Sequence, residues 1–149
     1  MPKLFRFRLE RLLEIRRILE ETKRREFADA NRAVEDQQQA ILRLIVEEES
    51  TKVELRGLKS KELDLTAVRI REQYLNLLSR KITEAYRGLQ TRQLHRSEKR
   101  RELVGAMQGV RVLERLRERR RGEYDVAIAR DEQKFLDEVA SRMVQEGSP

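Results

Sequence analysis

The chain has 149 residues, of which 41% are charged and 38% apolar, and it carries a net charge of +7. A typical globular domain is only about 25% charged, so a compact many-layered core is excluded. The absence of cysteine also excludes disulfides and thiolate metal sites, and permits a reducing cytoplasm.

The only prolines are Pro2 and Pro149. Everything between them is free of the strongest helix breaker, which costs roughly 3 kcal/mol in a helix interior. Leu, Arg, Glu, Lys, Gln and Ala, all good helix formers, dominate that interior. No apolar run approaches the ~20 residues needed to span a bilayer. Arg6, Arg8, Arg11, Glu10 and Glu14 interrupt the N-terminal apolar residues, so no signal-peptide core is expected.

From the N-terminus, Phe5, Leu9, Leu12, Ile15 and Leu19 fall three or four apart and predict one helical face, which Leu4, Phe7, Leu13 and Ile18 widen. A stripe this wide implies more than one neighbour, or an amphipathic helix lying on a membrane surface. A seven-residue repeat follows through Phe27, Ala30, Val34, Gln37, Ile41, Leu44, Glu48, Thr51, Leu55 and Leu58. This is coiled-coil alternation, offset by one residue from the first stripe, with loose packing expected at Gln37, Glu48 and Thr51.

Between Gly57 and Thr66 the pattern lapses, and the chain is expected to turn round. Gly57 can end the first helix in the left-handed conformation, and Asp64 or Thr66 can cap the second. One uninterrupted helix is the alternative. Beyond the turn, Leu75, Leu78, Ile82, Ala85 and Leu89 carry the seam, followed by polar steps at Arg92, Arg96 and Lys99. Leu103, Ala106, Val110 and Leu113 then resume it. Gly88, Gly105 and Gly109 lie inside this second helix, where they allow close approach or bending at about 1 kcal/mol each relative to alanine.

Charge decides between the two topologies. Residues 1–25 sum to +5, 26–66 to −4, 67–95 to +4, 96–122 to +6 and 123–149 to −4. A reversal near residue 62 sets a −4 segment beside a +4 segment. It also gathers the two most basic segments at the open end, which should attract an acidic partner. The acidic stretch from Glu123 to Gln145 overhangs the first helix, either shielding that end or offering a separate face.

The residues of catalysis are missing. No glycine-rich phosphate loop occurs, so the chain should not hydrolyse nucleotides. His95 is the only histidine, and the acidic runs at 47–49 and 131–138 lack a liganding loop. Neither a metal nor another cofactor is expected. The arginines at 100–101 and 119–121 make non-specific nucleic-acid binding conceivable at low salt. Aromatic residues, at 5%, leave few stacking platforms for it.

The opening Phe5-Arg6-Phe7-Arg8-Leu9-Glu10-Arg11-Leu12-Leu13, with Arg16-Arg17 and Glu20-Glu21, resembles the start of the flagellar export protein FliJ family. The stretch from Leu113-Glu114-Arg115-Leu116 through Tyr124 to Asp137-Glu138-Val139-Ala140-Ser141-Arg142 is similar to its C-terminal signature. The resemblance implies a cytoplasmic, non-enzymatic stalk of the flagellar type III export apparatus, peripheral to the inner membrane. It implies contacts with the export ATPase ring, the linker of the export-gate membrane protein, and export chaperones.

The basic end would enter the ring, with Arg6, Arg8, Arg11, Arg16, Arg17, Arg117, Arg119 and Arg120 as contacts. Tyr74 and Leu78 match the spacing of the family's gate-binding patch, with Leu44 as their neighbour from the first helix. Glu47 and Thr51 stand where some members have aromatics.

The expected fold is all-α, a long antiparallel two-helix coiled-coil hairpin forming one elongated domain over 1–149. Its helices cover about 5–58 and 67–145, with a turn over 59–66. The shorter arm would measure about 80 Å at 1.5 Å per residue, and the hairpin by itself is expected to be monomeric. The stalk of a virulence type III secretion system, or a basic coiled coil binding nucleic acid or a membrane surface, is the alternative.

Overall fold

The computed structural model describes residues 4–61 and 64–147. Two helices, α1 (Glu10–Lys59) and α2 (Leu65–Glu146), pack against each other as an all-α hairpin, with no strand among the described residues. The packing divides into two compact units, one of Thr22–Leu103 and one of Met1–Glu21 with Val104–Pro149.

In the Thr22–Leu103 unit the seven-residue repeat does the packing. Ala30, Val34, Ile41 and Leu55 of α1 and Val68, Leu78 and Leu103 of α2 are buried. The helices run antiparallel, so partners on α2 fall in number as those on α1 rise. Lys23 meets Glu102, Arg92 donates to the Ala33 carbonyl, Gln37 donates to the Ala85 carbonyl, and Arg71 bonds Glu54.

Three of the polar seam positions expected to be loose have partners of their own. The Gln37 amide lies 2.8 Å from the Ala85 carbonyl, the buried Thr51 hydroxyl donates to the Glu47 carbonyl at 2.8 Å, and Glu48 pairs with Lys52 at 3.3 Å. Hydrogen bonds offset the cost of desolvating these polar groups, so the seam continues through them.

The turn departs from expectation at one residue. Gly57 lies inside α1, and no glycine among the described residues has positive φ. The helix instead ends two residues later at Lys59. The Ser60 amide bonds the Arg56 carbonyl at 3.2 Å, and the Ser60 hydroxyl bonds the Gly57 carbonyl at 2.9 Å, so free carbonyls of the last turn are satisfied without a left-handed residue. Of the two candidate caps, Asp64 is the one used. Its carboxylate accepts from the amides of Thr66 and Ala67 at 3.1 and 3.4 Å. Glu62 and Leu63 of the expected turn lie outside the described residues.

In the unit of Met1–Glu21 with Val104–Pro149, the buried apolar residues are Leu13, Ala106 and Val110. This corrects the first stripe. Leu12, Ile15 and Leu19 are exposed, and the repeat that passes through Phe27 and Val34 reaches back instead to Leu13, in steps of seven. Arg16 takes a seam position, with its Cδ methylene over Gly109, 3.9 Å from where a Cβ there would sit. The helix also begins at Glu10, where a start near Phe5 was expected.

Candidate functional site

Residues 4–9 lead into α1 as a non-helical segment of alternating character. Phe5, Phe7 and Leu9 are half-buried, while Arg6 and Arg8 between them are exposed. Over residues 4–7 that two-residue period suits an extended chain laid along a surface, since successive side chains point opposite ways; Arg8 and Leu9 then turn into the helix, with the Glu10 amide donating to the Phe7 carbonyl at 3.1 Å.

The surface is α2. The Phe5 ring meets the Tyr124 ring, tilted at 53° with centroids 5.6 Å apart. The guanidiniums of Arg117 and Arg121 stand 5.9 and 5.2 Å from the centre of the Phe5 ring, and Arg121 stands 5.8 Å from that of Tyr124. These are cation–π distances, and the ring faces partly balance the crowding of positive charge. Arg117 also bonds the Glu10 carboxylate at 2.8 Å, which ties α2 to the first turn of α1. A carboxylate there is favoured by the helix dipole as well.

Between this segment and α2 lies a groove of about 970 Å³, bordered by Phe5, Arg6, Phe7, Arg8, Leu116, Arg120 and Tyr124 among others. Its walls are apolar and its rim is cationic. Such a site suits a side chain with an apolar body and acidic neighbours.

The eight arginines expected at this end fall into three groups, with Arg120 in two of them. Arg6, Arg8 and Arg120 border the groove. Arg17, Arg117 and Arg120 hold ion pairs, to Glu114 at 3.4 Å, Glu10 at 2.8 Å and Glu123 at 3.2 Å respectively. Arg11, Arg16 and Arg119 are exposed on the same unit. Sequence reasoning missed the stacking of Arg121 on Phe5 and Tyr124, the two rings that border the groove. The alternation of aromatic and arginine at 5–8 was the signal for it.

A second surface lies on the Thr22–Leu103 unit. Tyr74 is half-buried and its hydroxyl donates to the Glu47 carboxylate. That bond, then burial, then the negative charge of Glu47 push the Tyr74 pKa up. Leu44, one turn before Glu47, is half-buried. Leu78 is 0% exposed and belongs to the seam. Sequence reasoning also missed Ile70 and Leu77, which flank Tyr74 at helical spacing and are 60% and 45% exposed. Together with Tyr74 they make the outward apolar face that Leu78 does not provide.

No helix among the described residues is long and apolar enough to cross a membrane. A family model described as flagellar FliJ protein matches residues 5–148. No curated protein matches the chain, and no solved structure does.

Proposed function

The chain belongs to the flagellar FliJ family and so to the flagellar export apparatus; from that membership we propose that it works there as a non-catalytic stalk. Its arginine-rich end enters the export ATPase ring and promotes the ring's assembly and turnover. The observation that carries this reading is the groove at that end, where Phe5 and Tyr124 form apolar walls under Arg6, Arg8 and Arg120. Arg11, Arg16, Arg17, Arg117 and Arg119 extend the same positive field. Ion pairs hold Arg17 and Arg117 against the hairpin, so these two shape the surface while Arg6, Arg8, Arg11 and Arg119 reach outward.

The Tyr74 surface serves as the contact with the linker of the export gate. Tyr74 and Leu44 form it, and the buried Leu78 supports Tyr74 from within the seam. Ile70 and Leu77 supply the exposed apolar area. Export chaperones are further partners, and the protein works on the cytoplasmic side, peripheral to the inner membrane.

The test is ATP hydrolysis by the cognate export ATPase at fixed ionic strength, with the protein, without it, and with Arg6, Arg8 and Arg11 changed to Glu. Stimulation by the parent that the triple variant lacks is the expected result. Because these three residues lie at or beyond the start of α1, the variant should keep the parent's helical circular dichroism. Equal stimulation by both proteins would remove the basic end from the mechanism.

A further inference from the structure

Tyr124 is the last residue of α2 that meets the N-terminal segment through a ring contact, yet the helix continues to Glu146. From residue 125 to 147 every residue is exposed except Ile128 and Val139, which are half-exposed. Roughly 30 Å of helix, at 1.5 Å per residue, therefore stands without cover.

This stretch carries a face of its own. Ile128, Phe135, Val139 and Met143 recur at spacings of four and seven, and Phe135 and Met143 are 64% and 69% exposed. The stretch is acidic, with seven Asp and Glu against three Lys and Arg over 123–149. The stretch just before it, 96–122, has ten Lys and Arg against four Glu. Its part from 104 to 122, with six Arg against two Glu, lies in the same compact unit as the acidic stretch. A second copy laid antiparallel along this part of α2 brings acid to base at both ends, because a two-fold axis repeats every contact.

We propose that this C-terminal face pairs antiparallel with the same face of a second copy of the chain. With the two-fold axis between Ala129 and Arg130, helical register puts Phe135 of each copy level with Tyr124 of the other, at the mouth of the arginine-rimmed groove. Glu138 of each copy comes level with Arg121 of the other, and Asp137 lies within one turn of Arg120. The ion pairs those arginines hold within their own helix, to Glu123 at 3.2 Å and Asp125 at 3.4 Å, are exposed and readily exchanged, and Arg121 also stands over the Phe5 and Tyr124 rings. The pairing covers Phe135 and the groove in one step. It also occupies the basic end, so the paired form is closed to any other acidic partner.

Because the chain has no cysteine, introduced cysteines report the pairing directly. The register sets residue 124 of one copy against residue 135 of the other, both on the facing side of the helix. Under mild oxidation, a mixture of Tyr124→Cys and Phe135→Cys full-length chains should form disulfide-linked dimers, and neither variant alone should, since like positions stand 11 residues apart along the pair. Sedimentation equilibrium at micromolar concentration should show a reversible dimer. Its dissociation constant should rise about tenfold or more with Phe135→Asp, a change that buries a charge at the centre of the pairing.

Asp137→Lys with Glu138→Lys should weaken the dimer similarly, and adding Arg120→Glu with Arg121→Glu should restore it. The changes at 135, 137 and 138 fall in the already uncovered stretch and leave the hairpin folded, and circular dichroism checks this for them and for Arg120→Glu with Arg121→Glu. A monomer at every concentration would overturn the proposal and leave the face to another protein. Crosslinking of either single variant with itself would also overturn it, in favour of parallel pairing.

Discussion

Gly88 and Gly105 sit on the same helix, but their surroundings differ. A Cβ on Gly105 would meet nothing within 4 Å, whereas one on Gly88 would lie 3.0 Å from the Gln37 amide nitrogen. That nitrogen donates to the Ala85 carbonyl, so Gly88 is the gap through which Gln37 reaches across. Gly105→Ala should stabilise the protein by about 0.5–1 kcal/mol, the entropic cost of glycine in a helix. Gly88→Ala should gain little or lose, because displacing Gln37 forfeits a bond worth roughly 1 kcal/mol. Urea midpoints of the two variants make the comparison, and equal gains at both sites would show that Gln37 moves aside freely. The sequence placed both glycines on the helix without telling them apart. Spacing records which residues share a face, but not which cross-strand side chain stands opposite a missing Cβ. Asp64 was legible as a cap because its chemistry acts within three residues, and Gly57 misled because Ser60 could close the same helix end with a hydroxyl.

Where α1 and α2 pass at Lys23 and Lys99, the seam is built from charge. Lys23 and Lys99 share the carboxylates of Glu26 and Glu102 at 3.2–3.4 Å. Hydrogen bonding to Glu102, the largest cause, raises the pKa of both lysines above their ordinary 10.5. Hydrogen bonding from Lys23, again the largest cause, holds Glu26 and Glu102 below their ordinary 4.5. The carboxylates therefore contribute stability above pH 4.5 that is lost as pH falls through their lowered values. The lysines contribute stability below pH 10.5 that is lost as pH rises through their raised values. Thermal unfolding should be flat between these limits and fall on both sides. The double variant Lys23→Met with Glu102→Gln should show a shallower fall on each flank, and an unchanged profile would mean that the group contributes nothing. The element's register was legible from Phe27 onward, where apolar residues recur every seven. Toward the N-terminus it was not. Leu12, Ile15 and Leu19 are more apolar than Arg16, Glu20 and Lys23, so local hydrophobicity favours the wrong stripe. Packing follows the repeat already set by the longer coil, with Leu13 in the core and long polar side chains laying their methylenes along the seam.

Across the whole molecule, charge is sorted along the chain, and that much was readable as runs of one sign. The two compact units should therefore respond to salt in opposite directions. Most of the Thr22–Leu103 unit joins the −4 segment to the +4 segment, whereas in the other unit residues 1–21, at +2, join residues 104–122, at +4. Raising salt shortens the Debye length from about 10 Å at 0.1 M to about 3 Å at 1 M. Amide exchange should become faster in the first unit as attraction is screened, and slower around residues 10–21 and 104–120 as repulsion is screened. Exchange that speeds up in both would show that ion pairs such as Arg117 with Glu10 outweigh the like-charge field. The Asp64 cap has a consequence of a different kind, for the order in which the chain assembles. Glu54 and Arg71, near the turn, are 17 residues apart, whereas Glu10 and Arg117 are 107 apart. Closing the longer loop directly costs about 1.6 kcal/mol more, at roughly 0.6 kcal/mol per doubling of length. Contacts beside the turn are thus the cheapest to make first, and each shortens the loop that the next must close. The hairpin zips from Asp64 outward, and the Phe5 and Tyr124 rings meet near the end of folding and part near the start of unfolding.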